Sequence, residues 1–148
     1  MEDTVVPKSG LVLEECACFN LRKASRAVTR FFDDALAPAG LRATQLAILM
    51  AARSGDAPSI ARLADELVLE PSTLNRNLKP LEKEGLLSVE TGTTGRRKLV
   101  LLTAKGQSKV DEAIPLWEKA QNAIVGNLGD EDWAKLKSTL EETVQLAN

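Results

Sequence analysis

The chain has 148 residues, 44% hydrophobic and 27% charged, with a formal net charge of −2. That is the size of one domain with a real core, and the mild acidity argues against a protein that coats nucleic acid indiscriminately while leaving room for a local basic face. There is no histidine, no tyrosine and only two cysteines, which excludes Ser-His-Asp hydrolysis, histidine general-base chemistry, His-ligated zinc and a secreted disulfide scaffold.

No apolar run approaches the roughly 20 residues of a membrane span. The start, Met1-Glu2-Asp3-Thr4, lacks the basic opening of a signal peptide, so a cytoplasmic location and no membrane partner are expected. No phosphate-binding or dinucleotide fingerprint occurs, and neither a cofactor nor a metal is expected.

Residues 1–10 read as a frayed lead-in, with Pro7 and Gly10 as breakers. From Leu11 to about Ala37, Leu13, Ala17, Leu21, Ala24, Val28, Phe31 and Ala35 recur at helical spacing. Arg22, Lys23, Arg26 and Arg30 form a basic strip between them, read as a solvated face or as partners for neighbouring acids, with DNA phosphates as the alternative partner. Pro38-Ala39-Gly40 ends this helix, and Thr44 is a candidate cap for a second one over 45–53.

Residues 58–67 read as a short helix capped by Ser59. After a tight turn, Pro71 suits the first position of a further helix and Gly85 the residue just past its end. Leu74, Leu78 and Leu81 make its buried stripe, while Ser72, Thr73, Asn75, Arg76 and Lys79 occupy the other face. Hydroxyl, amide and cationic groups of this kind bond phosphates and base edges. Pro80 lies inside the helix and removes a backbone bond to Arg76.

Two apolar runs, 86–90 and 98–102, flank a Gly- and Thr-rich turn that exits through Arg96, Arg97 and Lys98, as a hairpin with a cationic tip would. Thr103 suits the cap of a long helix running to about Val125, with Val110, Ile114, Trp117 and Ile124 on its apolar face and Pro115 as a kink. Asp130 is a candidate cap for a last helix carrying Trp133, Leu136, Leu140 and Val144.

Helix, turn, helix, hairpin is the layout of a winged helix-turn-helix. The runs Ser72-Thr73-Leu74-Asn75-Arg76-Asn77-Leu78, Leu81-Glu82-Lys83-Glu84-Gly85-Leu86-Leu87, Arg96-Arg97 and Leu102-Thr103-Ala104-Lys105-Gly106 resemble the MarR family of bacterial transcription regulators. The likeness runs from about Leu11 to Leu146. The family carries an acid two residues before the wing arginine, which matches Arg96; here that position is Thr94.

The resemblance implies a mainly α fold with a small β-hairpin wing, a single domain over 1–148. Residues 11–37 and 103–148 would form long terminal dimerisation helices, and 43–102 the DNA-binding region. It implies a homodimer on double-stranded DNA at a palindromic operator, with Ser72, Thr73, Asn75, Arg76, Lys79, Arg96, Arg97 and Lys98 as DNA contacts. The terminal helices support the dimer independently, because their apolar faces exceed what one copy would cover.

Residues from Cys18-Phe19 to Ala24-Ser25-Arg26 also resemble the organic-hydroperoxide-sensing branch of the family, which places Cys18 at the oxidised position. That branch orients its thiol with tyrosines, where Arg22 and Phe32 stand here. With Cys16 and Cys18 on one helix, two residues span about 200° and the thiols point apart. The expected function is a repressor released by an oxidant through Cys18, with Cys16 the second redox candidate, or by a small ligand in a pocket walled by Phe31 and Trp117. The alternatives are a thiol-dependent peroxidase or reductase, and a helical protein-interaction module without DNA binding.

Overall fold

The computed structural model describes residues 10, 12–53, 55–93 and 95–148. Among them are six α-helices and one antiparallel hairpin. The helices are α1 (Ala17–Leu36), α2 (Ala43–Ala52), α3 (Ile60–Glu66), α4 (Pro71–Lys83), α5 (Ala104–Leu128) and α6 (Asp130–Ala147). The hairpin pairs β1 (Leu87–Thr91) with β2 (Lys98–Leu102), Val89 opposite Val100.

The first helix begins later than its apolar pattern suggests. A 3-10 turn, Leu13–Glu15, precedes it, and Cys16 sits at the N-cap in an extended conformation. Asn20 explains the break. Its side-chain amide donates to the carbonyls of Glu14 (2.6 Å) and Cys16 (3.0 Å), folding the lead-in back over the first turn. Cys16 and Cys18 therefore do not share a helix, and the 200° separation expected from helical spacing does not apply.

The start of α2 also differs. Arg42, not Thr44, is the N-cap, and it has no side-chain acceptor to offer. The work is done from elsewhere. Asp33 of α1 accepts from Ala43 N–H at 2.7 Å, and Gln45 Oε1 accepts from Arg42 N–H at 3.0 Å. At the last helix, Asp130 is the first helical residue and Gly129 the N-cap, so no side chain caps it.

The core gathers around α2, whose Leu46, Ile48, Leu49 and Ala52 are all buried. Leu63 from α3, Leu74, Leu78 and Leu81 from α4, Leu87 and Val100 from the hairpin, and Val110 and Ala113 from α5 pack with them. Each such leucine contributes about 1.5–3 kcal/mol by leaving water. The wing is held at its root as well. Val100 N–H donates to Pro58 O at 2.9 Å, and Ser59 bridges Leu99, so the residues before α3 lie alongside β2.

A candidate DNA interface, a joint behind it and an apolar cavity

The recognition candidate α4 starts at Pro71, where a missing N–H costs nothing, after the N-cap Glu70. Pro80 lies within it without ending it. Beyond its C-cap, Glu84, Gly85 adopts φ 72°, and Leu86 N–H returns to Leu81 O at 2.9 Å. Burying Leu74, Leu78 and Leu81 against the core turns the opposite face outward. Ser72, Asn75, Arg76 and Lys79 are exposed there, and Thr73 is half-buried. The Arg76 guanidinium donates to Thr73 Oγ1 at 3.3 Å, steering it along the helix surface.

At the wing tip, Gly92 N–H donates to Arg97 O at 2.6 Å and Gly95, at φ 72°, closes onto Gly92 O. Arg96, Arg97 and Lys98 are all exposed. Thr94, the departure from the family pattern, lies outside the described residues. The basic strip of α1 is exposed too, with Lys23 Nζ 6.0 Å from the Phe19 ring centre.

Behind the interface is a joint that the motif Leu102-Thr103-Ala104-Lys105-Gly106 builds. Thr103 caps α5 by accepting from Gly106 N–H at 3.0 Å, and its hydroxyl donates to Gly85 O at 2.6 Å. Lys105 Nζ donates to Glu84 O at 2.7 Å, and Thr103 N–H to Leu86 O at 3.2 Å. The carbonyls of Glu84, Gly85 and Leu86, at and just past the C-cap of α4, are thus taken by Thr103 and Lys105 at the start of α5. Gly106 makes the approach possible, since a Cβ there would overlap the Leu86 carbonyl oxygen.

A cavity of about 500 Å³ opens between the core and the arms. Phe32 and Leu36 of α1, Leu46 and Met50 of α2, and Ile114 and Trp117 of α5 wall it. Ala43 and Ala47 complete the α2 side. Of the two expected walls, Trp117 lines the cavity and Phe31 does not; Phe31 points outward, 44% exposed, edge-on to Phe32 at 6.1 Å between ring centres. Adjacent helical residues are about 100° apart, so only one of the pair can face inward.

Cys18 is exposed in the first turn of α1 and Cys16 is half-buried, both as free thiols. Among the described residues no cluster of His, Cys, Asp or Glu is placed to hold a metal, and no single helix is long and apolar enough to cross a membrane.

Comparison with known proteins fits this architecture. A family model, MarR family, matches residues 41–99. MosR, a transcriptional regulator of M. tuberculosis solved in complex with DNA, is 34% identical with a TM-score of 0.84, over 90% of this chain and 96% of that one. YwoH of Bacillus subtilis, an uncharacterized HTH-type transcriptional regulator, is 26% identical over 112 residues, 76% of this chain and 82% of its own. CouR of Rhodococcus jostii, in its structure with p-coumaroyl-CoA, shares the fold at 23% identity and a TM-score of 0.76, over 90% of this chain and 95% of that one. These relatives are regulators rather than enzymes, so the thiol-enzyme alternative is set aside. The chain belongs to the MarR family of winged helix-turn-helix, DNA-binding transcription regulators.

Proposed function

We propose that this regulator is a cytoplasmic homodimeric repressor that grips a palindromic operator with two copies of α4 and the wing, and lets go when the α1–α2–α5 cavity takes a small ligand. The observation that carries the reading is the division of α4: three leucines locked into the core, and an exposed face of Ser72, Asn75, Arg76 and Lys79. Such a helix offers base-edge and phosphate donors in a fixed orientation. The wing cations Arg96, Arg97 and Lys98 add phosphate or minor-groove contacts. Dimerisation uses the arms, where Leu21, Val28, Phe31, Leu136, Leu140 and Val144 stand 39–45% exposed. Two-fold symmetry would set the two helices on successive major grooves, about 10 bp apart.

Selection of bound sequences from random duplex DNA tests this. The expected product is an imperfect palindrome, and a single asymmetric site or no enrichment would overturn the reading. Arg76→Ala should then cost about 1–3 kcal/mol and relax preference at one base position. Arg96→Ala should instead weaken all sequences and flatten the salt slope by about one unit.

A second route of release is supported by the placement of Cys18, exposed at the start of an arm. An oxygen adduct or mixed disulfide there would not stay packed against a second copy, and the subunits would shift. Organic hydroperoxide should release DNA from wild type and Cys16→Ser but not from Cys18→Ser. Intact mass separates a sulfenic acid (one added oxygen) from a mixed disulfide or a loss of two hydrogens between the thiols. Release from Cys18→Ser would remove this route.

A further inference from the structure

We propose that the α1–α2–α5 cavity selects uncharged, mainly apolar aromatic molecules and that Asp33 is the residue that turns carboxylates away. The proposal deepens the ligand-release reading and rests on it for the location of the site. The walls come first. Among the side chains lining the cavity, the sole polar atom is the Trp117 indole N–H, and none of them carries a charge. A carboxylate entering this space would shed its water and meet no cation.

The N-terminus of α2 is the place where an anion could find donors, because helix N-termini present unpaired N–H groups and a positive dipole end. Ala43, the first residue of α2, is itself a wall residue. Its N–H is taken by the half-buried Asp33 carboxylate at 2.7 Å, and the Arg42 N–H beside it by Gln45. The chain has filled its own anion site with a negative charge. Asp33 is not itself a wall residue; its carboxylate reaches the margin of the cavity through Ala43, the wall residue whose N–H it accepts at 2.7 Å. An acid in the cavity would face that charge across a poorly screened medium, while a neutral ring would meet only apolar surface and one hydrogen-bond donor.

The volume, about 500 Å³, falls in the range of small-molecule sites and suits a ligand of about two or three fused rings.

The test uses the full chain and two probes of one shape, 2-naphthol and 2-naphthoate, at pH 7 by titration calorimetry. Wild type should bind naphthol at one site per chain and naphthoate at least about 30-fold more weakly. Asp33→Asn keeps an oxygen to accept from Ala43 N–H while removing the charge. It should strengthen naphthoate binding roughly tenfold and leave naphthol unchanged. Ala47→Phe, which fills the cavity, should abolish both. Equal affinity for the two probes in wild type overturns the proposal, as does an Asp33→Asn effect shared by both. Absence of naphthol binding at millimolar concentration overturns it too, and would mean that a second copy fills the space. The wild-type comparison stands even if Asp33→Asn does not fold. An operator-binding titration run in parallel separates the two readings. Selective naphthol binding with DNA still held would sink ligand release and leave the selectivity intact.

Discussion

In α4, Leu74, Leu78 and Leu81 form a helical stripe no more than 2% exposed. In α6, Leu136, Leu140 and Val144 form a similar stripe and stand 41%, 39% and 45% exposed. The reading head and the arms thus carry one kind of amphipathic pattern with opposite outcomes. A stripe says which side of a helix water disfavours; it does not say what surface covers that side. The head closes on itself through α2, α3 and the wing. The arms have apolar faces that the described residues of one copy leave open, which is why a second copy is the natural cover.

Substitutions that weigh the two regions against each other sharpen this contrast. Leu78→Ala should cost about 2–5 kcal/mol in urea melts, at low and high protein concentration alike, because the contact is made within one copy. A loss that vanishes at high concentration would mean that the head also depends on its partner. Gly106→Ala comes next, at about 1–3 kcal/mol or more, since the new methyl collides with a backbone oxygen that cannot swing aside. A urea melt should show that loss, and an unperturbed variant would contradict the close approach at the joint.

Leu140→Asp belongs to the arms. It should leave far-UV circular dichroism close to wild type while weakening self-association about 10- to 100-fold by sedimentation. Unchanged association would remove α6 from the interface. The smallest expected effect is a gain. Val68, in the turn between α3 and α4, holds φ 52°, a left-handed conformation costly for a β-branched residue, and is 53% exposed. Val68→Gly should therefore stabilise the head by about 0.5–1 kcal/mol after the entropy cost of glycine. A lower urea midpoint would mean that the Val68 side chain contributes packing worth more than the strain.

How far each feature is legible in the sequence follows from the range of the interaction behind it. Ser59 and Thr103 as caps, Pro71 at a helix start, Gly85 past its end and the hairpin 87–102 are signalled within a few residues, and the structure contains them. Asp33 as the cap of α2 spans ten residues and two helices, so nothing near Ala43 announces it, and the local sequence points to Thr44 instead. The start of α1 depends on one asparagine reaching back to Glu14, a contact that apolar periodicity does not register. Phe31 and Phe32 are indistinguishable by type, and only the packing of α2 and α5 decides which one lines the cavity. The exposed polar face of α4 is legible because it is what the leucine stripe leaves over. The exposure of the arms was legible only as an excess of apolar surface.

Thr103, Lys105 and Gly106 pin the first turn of α5 to the Glu84, Gly85 and Leu86 backbone just past α4, so a tilt of α5 would be passed to the end of α4. The 25 residues of α5 make an arm of about 37 Å. Tilting it by ~5° about its far end swings the joint by about 3 Å, close to the ~3.4 Å rise between stacked bases along one strand. If a second copy meets the arms as proposed, a modest change of angle there would set α4 one base step out of place. On the proposed reading, whatever fixes the arms at the wrong angle would silence the exposed face of α4 without touching it.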